Sequence, residues 1–191
     1  MAPRPTDKRS AILHAALEIF AENGFHSSPT SLIAQKAGVG AGTIYRYFES
    51  KDDLIKVLQQ EIDIKLKPAI QEGLTADKTV KANFLLLHGN LLRYLLANRN
   101  ESRFLEQFYN SPYGLEKKRE GSSCGNLFID LQQRGIREKV VKDLPSDALF
   151  ALSIGPLVVL TRDHHNGLMV VTDDIIAAVL EGCWDAVKQG T

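Results

Sequence analysis

The sequence predicts an all-α protein of about nine helices, a small N-terminal three-helix module joined to a larger C-terminal helical bundle. Apolar residues recur at three- and four-residue steps along almost the whole chain, and sustained alternation is absent. Glycine and proline interrupt these runs where helices would end. The 191 residues, 44% hydrophobic and 24% charged, have the composition of a soluble globular chain and enough length to bury a sizeable core.

The first helix should run from about Thr6 to Asn23 and bury Ile12, Leu13, Ala16, Leu17, Ile19 and Phe20 along one stripe. Gly24 ends it, since glycine takes the left-handed conformation a helix stop needs, and Phe25 folds back onto Phe20. A short second helix follows Pro29, capped by Thr30 or Ser31, and ends near Ala37. A third spans about Ala41 to Phe48. The fourth starts at Ser50 with a Ser-x-x-Asp cap to Asp53 and continues towards Gln71, with Pro68 as a kink or early stop. Further helices are expected over about Lys78–Asn98, Glu101–Asn110, Leu115–Arg134, Ser146–Asp163 and Asp173–Gln189, with the polar stretches 135–145 and 164–172 as connections.

Charge and cysteine content exclude several function classes. The formal net charge is zero, so any nucleic-acid contact must be local. Cys124 and Cys183 stand far apart without metal-ligand spacing and read as reduced residues of a cytoplasmic protein, with neither metal nor cofactor implied. The apolar run after Arg4, Lys8 and Arg9 is broken by His14 and Glu18, unlike a signal-peptide core. The most apolar stretch, Ala148 to Thr161, suits a buried helix better than a membrane span. No spacing suggests a nucleophile, base and orienter, so no enzyme activity is expected.

The segment AGVGAGTIYRYFESKDDL, residues 37–54, looks at first like a phosphate-binding loop. Its spacing argues otherwise. Gly38, Gly40 and Gly42 give G-x-G-x-G after a helical segment, not G-x-G-x-x-G after a strand, and Gly42 is followed by Thr43 and Ile44 where a P-loop needs Lys and Ser or Thr. A helix-turn-helix needs a small residue at the helix contact, a glycine corner and an apolar lock; Ala34, Gly38 and the set Ile33, Ala37, Val39 and Ile44 supply them. Ile44 and Phe48 read as core. Tyr45, Arg46, Tyr47 and Lys51 put polar tips on one short segment, although either tyrosine alone reads first as packing.

Residues 9–56, and above all SLIAQKAGVGAGTIYRYFESKDDLI, resemble the helix-turn-helix of TetR-family transcriptional repressors, with Thr43, Tyr45, Tyr47, Phe48 and Lys51 matching the core pattern. The resemblance implies a DNA-binding domain over residues 1–50 and an effector-binding and dimerisation domain over 51–191. It implies that Ala41, Gly42, Tyr45 and Arg46 approach base edges in the major groove, with Thr43, Tyr47 and Lys51 on phosphates and Thr30 and Ser31 adding contacts from the preceding helix. Gly40 departs from the pattern, which often has a capping hydroxyl there. Residues 1–51 carry six Lys and Arg against four acidic residues, so binding to double-stranded operator DNA should rely on a homodimer.

The C-terminal half offers aromatic helices that could enclose a small effector. By the resemblance Phe84, His88, Leu92, Phe104, Phe108, Tyr109, Phe128 and Leu131 surround it, although any one of them reads first as plain core. His88 reads either as a satisfied core histidine or as a polar anchor. The last two helices carry Phe150, Ile154, Leu157, Val158, Ile176, Val179, Leu180, Cys183 and Trp184, more apolar surface than one bundle needs. In the family this pair meets its copy as a four-helix dimer interface; burial within one chain is the alternative, and Gly155 with Pro156 would permit close approach or a kink. The expectation is a ligand-responsive repressor on a pseudo-palindromic operator, released by a lipophilic effector. A sensor or scaffold with a vestigial DNA-binding module is the second reading.

Overall fold

The computed structural model describes residues 5–121 and 123–190. These are helical nearly throughout and contain no β-strand, in agreement with the all-α expectation. They gather into two compact units, one formed by the residues up to Ile62 with Asn100–Arg119, the other by Asp63–Arg99 with the residues from Glu120 onward.

In the first unit, α1 (Pro5–Asn23) buries Ile12, Leu13, Ala16, Ile19 and Phe20, while Leu17 is half-buried. Gly24 takes φ +77° and donates its amide to the Phe20 carbonyl at 2.9 Å. Phe25 then turns back, its ring edge-on to Phe20 at 5.4 Å, which is the expected stop. Below α1 lie α2 (Thr30–Lys36) and α3 (Ala41–Ile44). Neither Thr30 nor Ser31 caps α2: Pro29 holds the cap position and no side chain bonds there, because the chain enters one residue earlier than the hydroxyls would need. The third helix is likewise shorter than expected. After Ile44 the amides of Arg46 and Tyr47 bond only three residues back, to Thr43 and Ile44, tightening the chain into turns.

The start of α4 (Lys51–Gln71) follows the expected cap: the Asp53 amide donates to Ser50 Oγ at 3.0 Å, and the Glu49 amide to Asp53 Oδ2 at 3.0 Å. Pro68 is accommodated inside the helix, which ends three residues later, before Gly73 at φ +75°. The first unit is completed by α6 (Arg99–Tyr109) and α7 (Pro112–Glu120). At their corner, a Cβ on Gly114 would lie 2.5 Å from the Tyr109 Cα, so only glycine fits. Tyr113 of α7 donates to Asp52 Oδ1 at 2.7 Å, and burial, with that carboxylate beside it, pushes its hydroxyl up to about 12.

The second unit is a bundle around α5 (Val80–Ala97), against which α8 (Ser123–Arg137), α10 (Gly155–His165) and α11 (Asp173–Val187) pack; α9 (Ser146–Ser153) packs on α8, α10 and α11. Thr79 and Thr172 cap α5 and α11, accepting from the Ala82 and Ile175 amides. Two helices expected as continuous are each two. Gly121, at φ +85°, separates α7 from α8, and Pro156 at the second position of α10 marks the break from α9, the kink alternative foreseen for that pair. Close approach at Gly155 finds no support within the chain, where its surroundings are open. The chain end clasps the connection before α9: Lys142 donates to the Val187 carbonyl and Gln189 to the Val140 carbonyl, each at 2.9 Å.

Candidate functional site

The corner of the first unit is built as a helix-turn-helix requires. Gly38 stands at φ +66° with open space around it, so its role is conformational. Ala34 and Ile33 are buried at the helix contact, and the Val39 amide closes back onto the Ala34 carbonyl at 3.0 Å. Ile44 and Phe48 are fully buried, while Tyr45 between them is 55% exposed and Arg46 is exposed too. Burial of the two apolar residues thus pins the segment and turns the polar tips outward. Ala41, Gly42 and Ser31 are exposed, and Thr43, Tyr47 and Lys51 are half-buried.

The structure joins two of the expected DNA contacts directly. Thr30 Oγ1 lies 3.0 Å from the Tyr45 hydroxyl, so the start of α2 and the segment after α3 present one hydroxyl pair. Gly40 caps α3 with φ −68° and ψ 146°, an ordinary extended conformation, and no side chain serves the helix end. Among the described residues, cations of the unit are engaged internally, Lys56 with Glu116 at 2.8 Å among them. Lys36 Nζ sits 2.7 Å from Glu18, which holds the Glu18 carboxyl below its usual range, and Arg9 bonds Glu61 at 2.9 Å with its guanidinium 5.9 Å from the Phe48 ring centre.

The expected effector residues divide. Phe84, His88, Phe128 and Leu131 line a small cavity of the second unit, about 10 Å³ in room, together with Val80, Gln132, Val141, Leu149, Ser153 and Val187. Leu92 is fully buried and lines none of it. Phe104, Phe108 and Tyr109 belong to the first unit: Phe104 meets Phe20 and Phe25, Phe108 stacks near Phe104 and Tyr113, and Tyr109 lies edge-on to Phe108 with its outer side exposed. Their place is an aromatic core behind α1. The missed wall residues come from four separate helices and the 135–145 connection, and only the spacing of Val80, Phe84 and His88 along one helix face was readable beforehand.

Within the cavity His88 is stacked on Phe84 with ring centres 3.8 Å apart and lies edge-on to Phe128 at 5.1 Å. Its Nδ1 is 2.9 Å from the Phe84 carbonyl. Burial is the dominant cause that pushes the imidazole down to about 4, against the smaller opposing effect of that carbonyl. Of the residues expected at a dimer interface, Leu157, Ile176, Leu180, Cys183 and Trp184 are buried within the chain, where Trp184 packs edge-on to Phe84. Phe150, Ile154, Val158 and Val179 are partly exposed, beside the exposed Leu152 and Val159. Among the described residues there is no cluster of His, Cys, Asp and Glu that could hold a metal ion, and no helix long and apolar enough to cross a membrane.

Residues 12–58 match the family model of bacterial regulatory proteins of the tetR family, and residues 80–188 match the tetracyclin repressor-like C-terminal domain. A fatty acid metabolism regulator protein of Bacillus subtilis is 40% identical over 93 residues, 44% of this chain and about half (47%) of that relative. A TetR-family protein structure from Vibrio parahaemolyticus is 31% identical, covers 96% of this chain and 100% of its own, and superposes with a TM-score of 0.74. FadR of Bacillus subtilis, solved in complex with stearoyl-CoA, shares the fold with a TM-score of 0.69 at 24% identity, over 93% of this chain and 98% of its own. A glycine-cornered helix-turn-helix that turns its hydroxyls outward, continued into a helical bundle matched by its own family model, makes this chain a member of the TetR family of transcriptional regulators.

Proposed function

We propose that the protein is a homodimeric repressor that binds a pseudo-palindromic operator in the cytoplasm and is released by a small lipophilic effector. The observation that carries the DNA-reading part is the alternation of buried Ile44 and Phe48 with exposed Tyr45 and Arg46 on a segment fixed by the Gly38 corner. Arg46 has the donors to read a guanine edge bidentately, and Thr30, Thr43, Tyr47 and Lys51 have the groups to hold phosphates, with Ser31, Ala41 and Gly42 alongside. Residues 1–50 serve DNA binding and 51–191 the effector and the partner copy in this reading. The lipophilic effector rests on the apolar wall around His88, and FadR of the same fold was solved with stearoyl-CoA, whose acyl chain is long and apolar although its coenzyme A part is charged. Because α4 has residues in both units, it is the continuous element through which an effector would alter the spacing of two recognition segments.

The test is operator binding by two variants. Tyr47→Ala should weaken binding on every sequence alike, whereas Arg46→Ala should change preference at particular base pairs, each lost base contact costing ~1–3 kcal/mol. Unchanged operator affinity and preference in both would overturn the assignment.

A further inference from the structure

Two buried polar atoms on the wall of this cavity lack a hydrogen-bond partner, and both are acceptors. A carbonyl oxygen only accepts, so the 2.9 Å contact from His88 Nδ1 to the Phe84 carbonyl places the proton of the neutral ring on Nδ1. Nε2 is then a bare lone pair, and it is buried without a hydrogen-bond partner. On α8, the Oε1 of Gln132 is also buried without a partner, on the wall of the same cavity. Ser153 spends its hydroxyl hydrogen on the Leu149 carbonyl at 2.8 Å, which leaves only oxygen lone pairs. The remaining wall is Val, Leu and Phe, with no Asp, Glu, Lys or Arg.

This set discriminates by charge and by hydrogen-bonding sense. A carboxylate or phosphate would meet the lone pair of His88 Nε2 with its own lone pairs, and no cation on the wall would offset its charge. An ammonium would find acceptors but no carboxylate to offset the loss of its hydration. A neutral hydroxyl or N–H satisfies the orphaned nitrogen and leaves no charge stranded. The room, about 10 Å³, takes one such group, so the rest of the molecule would have to displace the half-buried Leu131 side chain.

We propose, building on the effector reading above, that this cavity is the recognition corner for an uncharged, mainly apolar ligand whose hydroxyl or N–H donates to His88 Nε2, with Gln132 Oε1 taking a second hydrogen where the ligand has one. Selection of the effector then turns on the hydrogen it offers as well as on its apolar bulk.

Calorimetric titration of the full chain at neutral pH with phenol, toluene and benzoate tests this with three rings of similar size. Phenol should bind at least tenfold more tightly than either of the others, and the ¹⁵N resonance of His88 Nε2 should move on adding phenol and stay on adding toluene. Gln132→Leu and His88→Leu should each erode the preference for phenol while toluene binding persists, which also shows that the cavity has survived the change. Equal affinities, a preference for benzoate, or binding of none of the three, as for a corner that holds only a water, would overturn the proposal. Phenol bound at His88 with operator affinity unchanged would leave the corner in place and overturn its role as the effector site.

Discussion

His88 shows how one buried side chain connects stability to pH. Its unfolded value is near the ordinary ~6.5, and burial pushes it down to about 4 in the folded protein. The unfolded chain therefore binds the extra proton first as pH falls, and the stability present above ~6.5 is lost progressively towards ~4. Between pH 7.5 and pH 5 this amounts to ~2 kcal/mol. Denaturant unfolding at the two pH values should show wild type losing about that much more than His88→Leu; equal losses would mean that the ring is hydrated or paired in the fold. The reading of this residue as a satisfied core histidine holds for one of its two nitrogens only, since Nδ1 is paired and Nε2 is not. Gln132 could not be recognised as its companion from sequence, because a glutamine beside Leu131 on an amphipathic helix reads as surface until the packing of α8 on α5 buries its carbonyl.

At the scale of elements, local punctuation was the most readable feature. The stop at Gly24, the corner at Gly38 and the cap from Ser50 to Asp53 follow from chemistry confined to a few neighbouring residues, and the structure reproduces each. Helix continuity was harder to read. Gly121 and Pro156 each divide a run whose apolar period continues across the break, so periodicity alone joins what backbone geometry separates. The extent of α3 was also hidden, since its last turns depend on how Phe48 is drawn into the core. Gly40 allows a direct test of that element. Its extended backbone suits any residue, and a Cβ there would meet only Thr43 Oγ1, at an ordinary 3.8 Å. Gly40→Ser should therefore add a side-chain acceptor to an uncapped helix and stabilise the protein by about a few tenths of a kcal/mol. A rise in melting temperature checks it, and a fall would show that the glycine is required by something other than its backbone.

For the whole molecule, the apolar surplus of the last helices was legible, but its direction was not. Counting apolar residues from α9 to α11 cannot separate those that face the bundle from those that face outward, and five of the nine expected interface residues are buried. The exposed Leu152 and Val159, with the partly exposed Ile154, Val158 and Val179, are the residues on which the proposed pairing of copies rests, while Phe150 packs its ring near Phe128 at 5.9 Å. Val159 is 45% exposed, so Val159→Glu should change the stability of one chain by no more than ~0.5 kcal/mol. Across a two-fold axis the same change sets like charges against each other. Sedimentation should show the variant as a monomer with operator affinity lowered at least tenfold; an unaltered dimer would place the interface elsewhere.

The pairing of Lys36 with Glu18 and of Arg9 with Glu61 bears on how the module meets a polyanion. Each phosphate neutralised by a lysine or arginine frees condensed counterions, and the number freed sets how steeply affinity falls with salt. A module that commits two of its cations to its own carboxylates frees few of them, and its neutral hydroxyls free none. Two such modules would hold an operator with an affinity that declines gently as ionic strength rises, so their discrimination among sequences would persist at salt concentrations where a more basic reader would already have let go.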